Sequence, residues 1–212
     1  MNKIKSTVEK ILLNDEEALT ALSSGYMNLS AYAKKIHREV EELTHKDVKA
    51  SGIVMSLSRL SQEYSMHHPL VQEVIIKNTT TKSPLSEIVF EKNNTNLLHH
   101  ASLHKKISVS NDDFLLVTLS TQQISIICSE RFVGDIVKHF KEKPLFIIAN
   151  LAMIGLSLDG SYYQKPNITY SLIRKIAQKQ IPLAETITTH NEIIFIFDLK
   201  YLSEIVACFQ NK

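Results

Sequence analysis

Three histidines, His99, His100 and His104, stand close together in the chain. On a helix, residues 100 and 104 share a face, the spacing two imidazoles need to meet on one ion. No cysteine or carboxylate at motif spacing completes a ligand set, so a half-solvated helix is the simpler expectation and no metal is assigned. Asp112 and Asp113 could take a cation, but they precede an apolar run, where a polar turn is ordinary. GxSxG, HExxH, GxxxxGK[ST] and GxGxxG are all missing. Five glycines in the whole chain leave almost no loop able to cradle a phosphate. The expectation is a protein without catalytic residues and without a cofactor.

Residues that could bind rather than react gather in "SLDGSYYQKPN", 157–167. This loop leads from a strand-like run to a helix start, where unpaired N–H groups and the helix dipole favour a carboxylate. Asp159 could accept from an ammonium group, and Gln164 and Asn167 could bond to either end of an amino acid. Thr186 and Thr188 would reach in from a neighbouring strand. With Gly160, Pro166 and Ile168 these residues form the expected ligand site; an ordinary polar loop is the alternative.

A second constellation is basic. "NLSAYAKKI" followed by "DVKASGIVMSLSRL" has the length of a helix-turn-helix, and Lys46, Lys49 and Arg59 could meet phosphates. Glu39, Glu41 and Glu42 lie close by, and residues 1–66 carry nine Lys/Arg against nine Asp/Glu. Non-specific DNA affinity comes mainly from phosphate neutralisation, so packing or dimerisation competes with DNA binding as the role of these helices.

The elements that must position these residues follow from periodicity. The chain has 212 residues, 44% hydrophobic and 22% charged, which is the composition of a globular protein with a sizeable core. Its net charge of +2 excludes nothing and demands no polyanion. Cys128 and Cys208 sit in apolar patterns and fit reduced, buried thiols in the cytoplasm. The start has no apolar signal core, and no apolar run reaches the length of a membrane span.

Helix spacing predicts three amphipathic helices in the first third, over 6–22, from Asn28 or Ser30 to Leu43, and over 53–64. His67-His68-Pro69 breaks the pattern, which places a boundary there and gives a helical domain at 1–68. Beyond it, "VQEVIIKN", "LSEIVFEKN", "FLLVTLST", "ISIICS" and "PLFIIANLAMIGLSL" read as strands. "NNTNLLHHASLHKKI" and "ERFVGDIVKHF" read as helices. Pro166 suits the first turn of the next helix, Ile181-Pro182 ends it, two strands follow across His190-Asn191, and "LKYLSEIVACF" closes as a helix.

This region repeats itself. Thr118 to Thr121 lie over Thr186 to Thr189 at an offset of 68, and Ile124, Phe132 and Phe140 lie over Ile193, Tyr201 and Phe209 at 69. The change of offset implies one extra turn residue in the second copy. Each copy reads strand–helix–strand–strand–helix, a split βαβ unit with antiparallel strands, giving an α+β protein whose two units occupy 69–143 and 144–212. The exposed edges of such sheets invite pairing with a second copy.

"LAMIGLSL" with "KPNITYSLIRKIAQKQIPLAETITTHNEIIFIFDLKYLSEIVACF" resembles an ACT domain, most closely the regulatory modules of aspartokinases. The similarity extends more weakly to 71–140 as a first ACT-like copy. Residues 18–63, with "ALSSGYMNLSAYAKKIHREVEELTHKDVKASGIVMSLSRL", resemble the helical segment before tandem ACT modules in a microbial group. The resemblance implies two ferredoxin-like βαββαβ modules, pairing of modules into shared sheets in a homodimer, and regulatory binding of a small molecule such as an amino acid. It implies no catalysis. One departure matters: ACT modules commonly place glycine after the proline at the first helix start, and here Asn167 follows Pro166.

Overall fold

The computed structural model describes residues 3–65 and 70–210, and the chain divides into two compact units, Met1–Glu73 and Val74–Lys212. The expected break at His67-His68-Pro69 lies outside the described residues.

Among the described residues the first unit has four helices, α1 (Lys3–Leu13), α2 (Glu16–Ser23), α3 (Leu29–Thr44) and α4 (Ala50–Tyr64). The periodicity predicts one helix where α1 and α2 stand. Asp15 divides them: its Oδ1 accepts from the Ala18 N–H at 3.0 Å, which caps α2 and starts a new helix. Its Oδ2 takes bonds from Lys35 Nζ at 3.0 Å and Tyr32 Oη at 3.2 Å. The Ala18 N–H first, then Lys35 and Tyr32, hold the Asp15 carboxyl below its ordinary range. Asn28, not Ser30, caps α3 through the Ala31 N–H. The expected apolar faces meet in one core around Leu12, Leu19, Ile36, Val40, Ile53 and Leu57.

Among the described residues the second unit is one six-stranded antiparallel sheet with four α-helices. Its strands are β1 (Ile76–Glu91), β2 (Leu115–Leu119), β3 (Gln123–Ser129), β4 (Phe146–Leu158), β5 (Glu185–Thr188) and β6 (Glu192–Asp198). The helices are α5 (Asn94–Ser102), α6 (Val133–Phe140), α7 (Ile168–Ala177) and α8 (Leu202–Phe209). The strand order is β2-β3-β1-β4-β6-β5. Two strands expected at 71–78 and 85–93 are a single strand beginning at Ile76, because the β-branched run Thr79-Thr80-Thr81 pairs with β4 and carries the strand through.

β1 and β4 lie at the centre and serve both ends of the sheet. Residues 85–91 of β1 pair with β3, while 76–82 pair with the second half of β4, which in turn pairs with β6. Register shifts at Lys82/Leu85 and Leu85/Glu87 mark bulges where the two strands bend. Asn150 takes a left-handed φ of 58° opposite this irregularity, a conformation asparagine tolerates.

The hydrophobic core is split accordingly. Ile88, Phe90, Ile124, Ile126, Phe132 and Phe140 form one cluster with α5 and α6. Ile154, Leu156, Leu172, Phe195, Phe197 and Ile205 form another with α7 and α8. A third cluster, on the opposite face of the sheet, joins Leu85 and Ile127 to Met153, Ile194 and Ile196.

The two ends match at one constant spacing. β3 and β6, and the helical stretches 130–140 and 199–209, are 69 positions apart throughout. Both hairpin turns have three residues, closed by Ser120 N–H to Gln123 O and by Thr189 N–H to Glu192 O. The expected extra turn residue is absent. Leu119 faces Ile124 as Thr188 faces Ile193, so Thr118 corresponds to Ile187 rather than Thr186. Pairing against the buried Ile124 and Ile193 sets the register, and the agreement of threonines does not.

Candidate functional site

The nine residues 159–167, between β4 and α7, form the loop that the sequence singles out. It opens with a one-turn 3-10 segment, Gly160–Gln164, stapled by Tyr162 N–H to Asp159 O and Lys165 N–H to Tyr162 O, each 2.9 Å. The buried Tyr162 ring anchors it, and its hydroxyl accepts from the Ile75 N–H at 3.0 Å. Lys165 Nζ lies 4.8 Å from the centre of that ring. Pro166 stands one residue ahead of the cap, not in the first helical turn as expected. Asn167 is the N-cap residue of α7 with φ 64°, and its side chain makes no capping bond. Its carbonyl instead accepts from the Ser171 N–H and hydroxyl at 2.9 and 2.7 Å. The left-handed cap answers the question raised by the missing glycine: the position does need an unusual φ, and asparagine supplies it.

Across from this loop stands the β5–β6 turn, Thr189-His190-Asn191. The Asn191 carbonyl accepts from the Leu158 N–H at 2.7 Å, tying the turn to the end of β4. His190 lies against Gly160 so closely that a Cβ there would sit 3.3 Å from its Nε2. Between loop, turn and helix start lies a pocket of about 400 Å³. Leu158, Tyr162, Ile168 and Ile193 give it apolar wall; Lys165, Asn167, Thr169, Thr188 and His190 give it polar groups, and Glu192 borders it with its carboxylate turned toward Gly155.

Of the expected site residues, the pocket brings together Asn167, Ile168 and Thr188. Gly160 forms the close contact with His190 behind it. Asp159 pairs with Lys77 Nζ at 2.9 Å. Gln164 and Pro166 are exposed on the loop, and Thr186 is exposed on β5, two residues before the lining residue Thr188. Tyr162, Lys165, His190 and Glu192 are additional lining residues. Their signal was proximity through the hairpin turn, which the sequence marks as a turn without showing that it folds back on the loop.

The other chemical candidates lie away from this pocket. His139 Nε2 lies 2.8 Å from the His99 carbonyl and 3.2 Å from Ser102 Oγ, so it bridges α5 and α6. Among the described residues, no three His, Cys, Asp or Glu side chains gather to hold a metal ion. Asp113 accepts from Arg131 Nε at 2.6 Å and from the Ser110 N–H at 2.8 Å; Arg131 first, then Ser110, hold its carboxyl far below the ordinary range. Lys46 and Lys49 are exposed in the turn before α4, and Arg59 is exposed on that helix, about 15 Å along its axis from Lys49. Beside them, Glu42 pairs with Arg38, and Glu41 accepts from the Val48 N–H. Among the described residues no helix is long and apolar enough to cross a membrane.

Neither a family model nor a curated protein matches this chain. Solved structures do. Aspartate kinase of Clostridium acetobutylicum superposes with a TM-score of 0.52 at 14% identity, covering 65% of this chain and 35% of the kinase. The regulatory subunit of aspartate kinase from Thermus thermophilus gives 0.51 at 10% identity, covering 63% of this chain and 95% of that subunit. Aspartokinase III of Escherichia coli, solved with aspartate and ADP, gives 0.51 at 8% identity, covering 65% of this chain and 34% of the enzyme. The chain thus matches about a third of each full kinase and nearly all of an isolated regulatory subunit. At these identities the likeness establishes a fold alone: an α+β, ACT-like fold, as the resemblance of residues 151–209 implies.

Proposed function

We propose that the protein is a non-catalytic, cytoplasmic regulatory or sensor protein. Its second unit is two ACT-like βαββαβ modules that share their central strands, and it acts as a homodimer that binds an amino acid or a similar small metabolite. The modules are 85–148 and a second made of 151–209 completed by strand 76–82, in place of a simple division at residue 143. One observation carries the ligand assignment: the start of α7 opens into a pocket that has both an apolar wall and polar groups.

An amino acid fits that chemistry. Its carboxylate lies at the first turn of α7, beside Asn167 and Thr169, where the helix dipole favours a negative group. Its ammonium group lies toward the Thr188 hydroxyl. Its side chain meets Leu158, Tyr162 and Ile193. The solved structures with this fold include a regulatory subunit of aspartate kinase, and that supports regulation by a small molecule.

Thermal melting against each of the twenty amino acids tests the proposal. At least one at millimolar concentration raises Tm, since a ligand at a hundredfold excess over Kd stabilises by about 2.7 kcal/mol. Thr169→Trp, which fills the pocket mouth, removes that shift while leaving the unliganded Tm close to wild type. No shift from any of the twenty overturns the amino-acid assignment.

A further inference from the structure

A second cavity, of about 360 Å³, lies beside α6, in the half of the sheet away from the pocket at α7. Its lining is Lys106, Asp135, Lys138, His139 and Lys141, with no apolar residue among them. None of the three ammonium groups has an ion-pair or hydrogen-bond partner among the described residues, whereas Lys5, Lys35, Lys77 and Lys200 each hold a carboxylate. Glu142, next along the chain, gives its carboxylate to the Asn93 and Asn96 amides instead. Three lysines against one aspartate leave an excess of two positive charges. That equals the net charge of the whole chain, so in the rest of the sequence Lys and Arg balance Asp and Glu.

Two elements hold these lysines in place. Lys106 stands between the buried Leu103 and Ile107, and its N–H bonds to the Leu103 carbonyl at 2.9 Å. Lys138 and Lys141 stand three residues apart at the end of α6, and His139, 2.8 Å from the His99 carbonyl, ties that helix to α5. The fold does not ask for the charge. On α8, 69 positions on, Ala207 and Gln210 occupy the places of Lys138 and Lys141. Lys141 moreover takes a left-handed φ of 60° at the end of α6, where glycine is the ordinary residue. Like charges gathered round one cavity repel, and a bound anion relieves that repulsion. The kind of anion follows from the kind of cation. The cavity has no arginine, whose planar fork matches a carboxylate; lysine is a compact point charge that suits phosphate oxygens. Duplex nucleic acid spreads its charge along a rod, whereas a cluster round one cavity suits a compact ligand.

We propose that this cavity is a second ligand site, separate from the pocket at α7, and that it binds a small polyphosphate anion through Lys106, Lys138 and Lys141. Isothermal titration calorimetry of the full chain with sodium tripolyphosphate is the test. Wild type binds one equivalent per chain, and the affinity falls as added salt screens the lysines. Lys138→Ala combined with Lys141→Gln, which copies α8, keeps its circular dichroism and binds about a hundredfold more weakly, tenfold for each charged hydrogen bond lost. Lys46→Ala combined with Lys49→Gln removes the same charge from the first unit and leaves the affinity unchanged. A second measurement needs no variant: tripolyphosphate protects Lys106, Lys138 and Lys141 of wild type from acetic anhydride, read by mass spectrometry of peptides, and does not protect Lys46 or Lys49. A wild type that neither binds nor is protected overturns the site. Equal weakening in the two double variants overturns it as well, because the attraction is then that of bulk charge. A short duplex DNA that binds through the same lysines and displaces tripolyphosphate overturns the small ligand in favour of a nucleic-acid backbone.

Discussion

The starts of α5 and α7 are corresponding places in the two halves of the sheet, and they are built in opposite ways. In both, the N–H that ends the central strand bonds to a carbonyl in the hairpin turn, Lys92 to Gln122 and Leu158 to Asn191. From there β1 reaches α5 through only Lys92 and Asn93, whereas β4 reaches α7 through nine residues. Asn93 caps α5 conventionally, its Oδ1 accepting from the Asn96 N–H at 2.8 Å. The buried Asn96 then gives its amide to the Glu91 carbonyl at 2.9 Å and to Glu142 Oε2 at 2.8 Å, and Asn93 Nδ2 joins the same carboxylate at 3.1 Å. One end is sealed by the chain's own polar groups. The other has a left-handed asparagine, no side-chain cap from it, and a pocket. One architecture thus gives a sealed helix start or an open one according to the length of a single loop.

The largest test of this correspondence lies in the core. Phe140 and Phe209 are equivalent, 69 positions apart, and each stacks on a strand phenylalanine: Phe140 on Phe90 at 4.1 Å, Phe209 on Phe195 at 6.0 Å between ring centres. Replacing either by alanine costs about 3–5 kcal/mol in urea denaturation. Phe140→Ala lies at the upper end, because its ring is fully buried and more closely stacked. Since β1 and β4 belong to both halves, each variant melts the second unit in one transition. Two separated transitions would break the picture of shared central strands.

A smaller effect separates the helix starts themselves. Asn96→Ala leaves the Glu91 carbonyl and Glu142 without their buried donor and costs about 2 kcal/mol. Asn167→Gly removes no capping bond and supplies a residue at ease with positive φ, so stability stays within about 0.5 kcal/mol of wild type. Chemical denaturation of both proteins decides it. An equal loss at the two positions would mean that α7 depends on Asn167 as α5 depends on its caps.

What could be read from the sequence follows the same division. The hairpins, the helices after them and the loop at 157–167 were legible, because apolar spacing and the Pro166–Pro182 bracket are local signals. Several features were not. The continuity of β1 through Thr79-Thr80-Thr81 depends on its partner in β4, and a polar run cannot announce a partner far along the chain. The break at Asp15 was hidden, because Ile11, Leu12 and Leu19 keep helical spacing across it, and only the cap to Ala18 reveals it. In the pocket, Asn167, Ile168 and Thr188 are near one another through helix and strand, while Glu192 and His190 come in through a turn whose direction no pattern encodes.

The finest probe of the two halves is chemical and leaves the fold untouched. Cys128 lies on β3, fully buried, and burial first, with Glu130 adding, pushes its thiol up to about 12. Cys208 lies on α8, partly exposed, and burial raises its thiol too. At pH 8, iodoacetamide therefore labels Cys208 first, and Cys128 reacts only through an opened state. A thiol with a raised folded pKa stabilises the fold below its unfolded value, near 9, and that contribution is lost as pH climbs toward 12. Labelling at pH 8 stays clear of the effect. If the central strands couple the halves, Phe209→Ala speeds Cys128 labelling even though Phe209 belongs to the other cluster, and by the factor its loss of stability sets, tenfold for each 1.4 kcal/mol. Mass spectrometry of labelled peptides reads this directly. A Cys128 rate unmoved by Phe209→Ala would show that the sealed half opens on its own, and the halves would then be neighbours in one sheet without being one cooperative unit.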